Sequence, residues 1–198
     1  MEDRSDACNA SAAGFSGSLR HTVPPLTADG VAGYTTYQLS VTLGQGTTNI
    51  YSLYGDTTHG PFVLPAAYQV PAPFGGDVGG VNPAFFPMMP TAQYDSWISI
   101  GITNGGAGEI GIPWSSWSET NGITADNGAV FWMDPNAAPG GVAPIVIGQL
   151  TVRSGFSPLD IQMDAQGHSS FGMPDWDDEL VFQIMGTPAA TGPVGGGH

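Results

Sequence analysis

The chain has 198 residues, a formal net charge of −14 and 41% hydrophobic residues, enough for one domain that buries about 70% of the surface its unfolded chain exposes. Seventeen Asp and Glu stand against three Arg (Arg4, Arg20, Arg153) and no Lys, which excludes nucleic-acid binding through phosphate neutralisation and attraction to anionic membrane surfaces. No apolar run approaches the roughly 20 residues that a membrane-spanning helix needs. Cys8 is the only cysteine, so no internal disulfide staples the fold.

Residues 1–26 are small and polar and end at Pro24-Pro25, a pair expected to interrupt regular pairing. They read as an arm. The start (Met1-Glu2-Asp3-Arg4) has neither a basic stretch nor an apolar run of signal-peptide type. Asn9-Ala10-Ser11 is an N-glycosylation sequon, which is compatible with secretion. Within the arm, residues 15–23 alternate: Phe15, Leu19 and Val23 share one face with Gly17 and His21, and Ser16, Ser18, Arg20 and Thr22 the other. Such a strand has two destinations. It folds back as the first strand of its own sheet, or it completes the sheet of another protomer by main-chain pairing. The second is head-to-tail, and head-to-tail contacts that do not close into a ring build filaments.

Further along, Tyr34 to Leu43 alternates with Tyr37, Leu39, Val41 and Leu43 on one side, the pattern of a half-buried strand. Ile50 to Tyr54 follows. Pro61 to Pro90 is too long for a hairpin loop, and its Phe62, Phe74, Phe85, Phe86, Met88 and Met89 require burial; it is expected to cover a sheet edge or supply a contact surface. Strands are expected within Asp95 to Thr103, at Ala129 to Asp134 after the Asp126-Asn127-Gly128 turn, at Ile145 to Arg153, at Leu159 to Asp164, and at Glu179 to Met185. No segment sustains a helical apolar period; at most a short turn of helix is expected near Trp114 to Trp117. The tail from Gly186 carries Pro188, Pro193 and three glycines before His198, with nothing to bury.

About seven to eight short strands with Gly, Pro and Asn turns in one domain indicate an all-β fold, a single antiparallel β-sandwich of Ig-like or jelly-roll-like type. The expected organisation is an arm at 1–26, a sandwich at 27–185 and a tail at 186–198.

Chemistry is sparse. Asp175, Asp177, Asp178 and Glu179 flank Trp176 and form a weak Ca²⁺ candidate, because hard cations gather several oxygens; the spacing is not that of an EF-hand loop, and a solvated acidic turn is the plainer expectation. The four histidines lack zinc-site spacing and there is no Gly-X-Ser-X-Gly elbow, so neither a cofactor nor an enzymatic activity is expected. Trp97 and Trp132 lie in strand-like runs and are expected in the core, whereas Trp114 and Trp117 are the pair to examine for glycan stacking.

The runs Tyr94-Asp95-Ser96-Trp97-Ile98-Ser99-Ile100-Gly101, Asn127 to Pro135, Ile147 to Val152 and Asp164-Ala165-Gln166-Gly167 resemble a family of uncharacterised β-rich domains of extracellular proteins from aquatic microbes, including microalgae. The resemblance spans about residues 34–185, and it implies an extracellular location and no particular activity. In architecture alone, an amphipathic arm ahead of an Ig-like sandwich is similar to pilus subunits that polymerise by donor-strand exchange. The expectation is therefore an extracellular, non-enzymatic structural subunit that forms a fibre or other homopolymer by exchange of its arm, with copies of itself as partner. The alternative is a monomeric carbohydrate-binding or adhesion module.

Overall fold

The computed structural model describes residues 24–103, 108–155, 158–170 and 173–185, together with the main chain of 19–22. Among the described residues, twelve strands form two antiparallel sheets. The first sheet holds β1 (Leu19–Thr22), β2 (Pro25–Ala28), β3 (Tyr34–Leu43), β6 (Trp97–Ile98) and β10 (Ile145–Arg153). The second holds β4 (Ser52–Gly55), β5 (Phe62–Leu64), β7 (Gly108–Ile110), β8 (Ile123–Ala125), β9 (Gly128–Phe131), β11 (Leu159–Gly167) and β12 (Trp176–Ile184). The all-β sandwich is as the periodicity predicts; the strand number is larger because several strands are broken in two.

The breaks have local causes. β4 and β5 run along the same edge of β11, separated by an excursion at 56–60 that Asp56 and Gly60 close as an isolated bridge. Opposite them, β9 and β8 pair with β4 and β5 across the Asp126-Asn127 turn. At the other sheet, β1 and β2 follow one another along one edge of β3. Pairing thus continues past Pro24-Pro25, contrary to the expectation that the prolines interrupt it. Proline lacks an N–H but keeps its carbonyl, and on an edge strand the missing donor points away from the sheet; the Pro24 carbonyl accepts from Gln38 N–H at 3.2 Å.

Between the sheets lies one core. Leu39, Ile50, Leu53, Phe62, Ile98, Ile147, Leu150, Ile161 and Phe182 are fully buried in it. Each such side chain contributes about 1.5–3 kcal/mol of transfer free energy. That pull sets the register of both sheets, since a slip of one residue would turn Leu39, Val41, Ile161 and Met163 outward.

The outer faces differ. Over the first sheet the long 65–95 segment forms a roof: Tyr68 N–H donates to the Thr151 carbonyl at 2.7 Å, Gln149 Nε2 donates to the Gln93 and Asp95 carbonyls, and Val70, Val81 and Ala92 form a second small cluster with Tyr68, Phe74, Phe86 and Met89. Within it, Asp77 and Gly79 bond the main chain of Ile98, closing the β6 edge. This is why both faces of β3 are buried around Thr35 and Thr36; the Oγ1 of Thr36 meets Thr151 Oγ1 at 2.8 Å. The outer face of the second sheet is bordered by the 56–60 excursion.

Candidate functional site

The arm strand is the first candidate. Asn9, Phe15 and Val23 lie outside the described residues. Leu19 and His21 fall in β1, whose main chain pairs with β3 of the same chain in the register Leu19–Leu43, Arg20–Thr42, His21–Val41 and Thr22–Ser40. Among the described residues, β3 has no other strand neighbour on that side over Ser40–Leu43, since β2 takes only Thr35 to Tyr37. β1 also approaches β12, the edge strand of the second sheet, so it stands at the seam where the two sheets meet. Its attachment is main-chain pairing along one edge, a bond pattern that any extended segment of suitable alternation can supply.

The tryptophan pair is not a platform. Trp117 is 5% exposed, part of the core, and its Nε1 donates to the Pro65 carbonyl at 2.9 Å. Trp114 opens a short 3-10 turn (Trp114–Ser116), packs on the core and donates from Nε1 to Glu109 Oε2 at 2.9 Å. The two rings are 5.8 Å apart at 43°. Pro113 breaks the strand pattern before them, which is why the sequence points to this pair as exposed; the 3-10 turn instead folds Trp117 inward to cover the end of the sandwich. Trp97 is buried and Trp132 packs partly buried against the core, as their strand context predicts.

The acidic run from Asp175 is split by the strand it precedes. Along β12, Trp176, Leu180, Phe182 and Ile184 face the core, so Asp177 and Glu179 face out and Asp178, opposite Ala165, faces in. The Ca²⁺ candidate Asp175, Asp177 and Asp178 is thereby dispersed, and among the described residues no three His, Cys, Asp or Glu side chains converge as a metal site. Asp175 and Asp177 instead accept from phenols, Tyr51 Oη at 3.0 Å and Tyr54 Oη at 2.6 Å. His168 Nδ1 lies 2.9 Å from the other oxygen of Asp175, and this contact, with the Tyr51 bond, holds that carboxyl below its ordinary range. Burial, followed by the bond to Asp175, pushes the Tyr51 phenol up to about 12; burial and the bond to Asp177 raise Tyr54 as well.

These contacts expose a cluster that the sequence pattern does not single out. On the outer face of the second sheet, Tyr54 of β4, Asp164 of β11 and Glu179 of β12 stand in one cross-strand row, and Ser52, Gln166 and Asp177 form the next. The excursion adds Asp56 and His59. Asp56 Oδ1 accepts from the Thr58 and His59 N–H groups at 2.7 Å each and meets the His59 ring at 3.1 Å through Oδ2, which lowers its own pKa and raises that of His59. Asp164 is 3% exposed, and burial, with Asp177, Glu179 and Asp56 nearby, pushes its carboxyl up to about 6 against the opposing pull of His59. The signal that could have found it is the alternation of Asp160, Gln162, Asp164 and Gln166 along one strand, a polar face next to a Tyr-bearing strand.

Compared with family models, with curated proteins and with solved structures, the chain matches none of them.

Proposed function

We propose that the chain is a non-enzymatic extracellular structural subunit that assembles into a homopolymer by exchange of its N-terminal strand between protomers. The observation that supports this most is the position of β1: a short edge strand that holds Ser40–Leu43 of β3 through main-chain pairing and is joined to the sandwich through Val23-Pro24. Exchange replaces one β1 by an identical β1 from a neighbour in the same register, so the pairing that a protomer gives up within its own chain is restored by the next chain. Charge favours the arm as the linking element. Residues 1–23 carry Glu2, Asp3 and Asp6 against Arg4 and Arg20, a net of −1, whereas the remainder carries a net of −13 with Arg153 as its only fixed cation. A nearly neutral arm meets far less repulsion at an acidic body than a second body does.

Negative-stain electron microscopy of the full chain beside a chain beginning at Pro24 tests the proposal; this start retains β2. Filaments are expected from the full chain and single particles from the shortened one. Monodisperse particles from the full chain, or filaments from both, would refute strand exchange.

A further inference from the structure

The roof carries a surface that the proposed strand exchange leaves unused. Segment 61–94 holds no Lys, Arg or His, and of the seventeen Asp and Glu only Asp77 falls within it. Asp77 is half-buried, and its carbonyl accepts from Ile98 N–H at 3.0 Å, which ties it to the β6 edge. Asp95, the next acid along the chain, is fully buried, its carboxylate held by the Val70 and Gly76 N–H groups. A chain of net −14 repels its own copies. In this segment the charge that drives the repulsion is nearly absent.

The same segment is apolar and firm. Met88 is 72% exposed and Phe85 36%. Their turn is closed by Phe85 and Phe86 N–H donating to the Asn82 and Pro83 carbonyls at 3.0 and 3.1 Å, and by Met88 and Met89 N–H donating to the Phe85 carbonyl at 3.0 Å each. Asn82 Oδ1 caps it, accepting from Ala84 N–H at 3.0 Å. Phe86 and Met89 pack on Val70, Val81 and Ala92. The Phe85 ring stands edge-on to Phe74 at 5.4 Å, which joins the turn to the exposed Pro71, Ala72 and Pro73. Prolines fix the backbone and the main chain is already bonded, so little freedom is lost when a partner covers this crest. Ile110, Met133 and Met173, exposed as well, stand within two residues of Glu109, Asp134 and Asp175. No acid comes nearer than seven residues along the chain to Phe85 or Met88.

A cationic partner would be drawn to the acidic faces, whereas a charge-free apolar crest suits a partner as acidic as this chain, and a second copy is such a partner. We propose that the crest of the roof, centred on Phe85 and Met88, is a contact between copies of this chain, isologous about a two-fold axis, so that crest meets crest and the acidic faces point apart. Its exposed side chains are fewer than the roughly 20–30 residues a side of a standard interface, so the contact is weak between free copies and counts where copies are held at high local concentration. It does not depend on the arm.

Cross-linking of the full chain carrying Cys8→Ser and Met88→Cys with a short bismaleimide tests it; Cys8→Ser removes the native thiol. An isologous contact brings position 88 of one copy to that of the next, so covalent dimer is expected in several-fold excess over a Cys8→Ser, Val142→Cys control, whose site is 95% exposed. Both substitutions fall on exposed side chains, so neither disturbs the core. Adding Ala84→Glu, at an exposed position of the same turn, is expected to reduce the excess several-fold by setting like charges face to face. In about 1 M NaCl, where charges are screened beyond about 3 Å, the excess of the Met88→Cys chain is expected to persist, because an apolar contact does not rest on charge. Equal dimer from the two sites, or no effect of Ala84→Glu, would overturn the proposal. An excess that vanishes at high salt would overturn it too, since the crest would then be only the least repelling surface. Every variant keeps the arm, so failure here leaves strand exchange to be judged by electron microscopy alone.

Discussion

Replacing Asp95 by alanine separates two opposing contributions of one buried carboxylate. Asp95 is fully buried between the short 3-10 turn Pro90–Tyr94 and β6; its carboxylate accepts from Val70 N–H at 2.7 Å and Gly76 N–H at 2.8 Å, and its carbonyl accepts from Gln149 Nε2 at 2.8 Å. It fastens the roof over the first sheet. Asp95→Ala leaves two donors without their acceptor, a cost of about 1–3 kcal/mol each. Against this, burial has raised the carboxyl from 3.8 to about 6. An acid raised on folding is fully favourable below its unfolded value and loses that contribution as pH rises through the folded one. Integrated, ionising Asp95 costs the native state roughly 3 kcal/mol at pH 7 and about half of that at pH 5. Alanine escapes this penalty, so the substitution is expected to cost roughly 1 kcal/mol more at pH 5 than at pH 7. Urea unfolding of both proteins at the two pH values measures the difference directly. A cost that is equal at both, or larger at pH 7, would show that the two N–H bonds, and not burial, set the energetics of this carboxyl.

Other outcomes follow from the same geometry. Asp95 and Asp164, both raised to about 6, destabilise the fold as pH rises from about 4 to 7, while Asp56 and Asp175, both lowered, lose their contribution as pH falls below the ordinary carboxylate range; the melting temperature is thus expected to peak near about pH 5 rather than at 7, and a flat profile from pH 5 to 7 would contradict it. A methyl at Gly167 would collide with the Asn49 carbonyl and the Trp176 ring, whose Nε1 donates to that carbonyl at 3.0 Å, so Gly167→Ala is expected to cost about 1–3 kcal/mol and to shift the fluorescence of Trp176. Phe182→Ala opens a cavity in the fully buried centre of the core and is expected to cost about 3–5 kcal/mol in chemical denaturation; a loss under about 1 kcal/mol would mean that β12 is not docked as described. Spectrophotometric titration is expected to show two phenols, Tyr51 and Tyr54, that ionise above the ordinary tyrosine range, and Asp177→Asn to return one of them toward it.

Where strands are long, the sequence is sufficient to locate them, although the half-buried strand expected at Tyr34 to Leu43 is covered on both faces once the roof is in place. Tyr34 to Leu43, Ile145 to Arg153 and Leu159 to Asp164 all form as their alternation predicts. Short strands are harder. Phe62–Leu64 and Ile123–Ala125 have three residues each, too few for a period to register, and they form because each extends a neighbour already in the sheet. The 3-10 turn at Trp114–Ser116 agrees with the helical turn expected there, but its consequence is not readable: pattern alone does not say which of two tryptophans a tight turn points inward. The outer-face cluster is illegible for a different reason. Tyr54, His59, Asp164 and Glu179 are far apart in the chain, and what joins them is the register of three strands and one excursion.

Composition and periodicity determined the class of this protein: an acidic, lysine-free β-sandwich, because alternating apolar residues in short runs cannot be satisfied except by two sheets facing one core. The tertiary structure decided which polar residues meet. It placed a roof on one outer face, turned Asp178 inward and Asp177 outward, and set Asp164 opposite Glu179 and Tyr54 in one row. Those are consequences of register and of loop path, which depend on contacts between distant segments and so have no signature in any one of them.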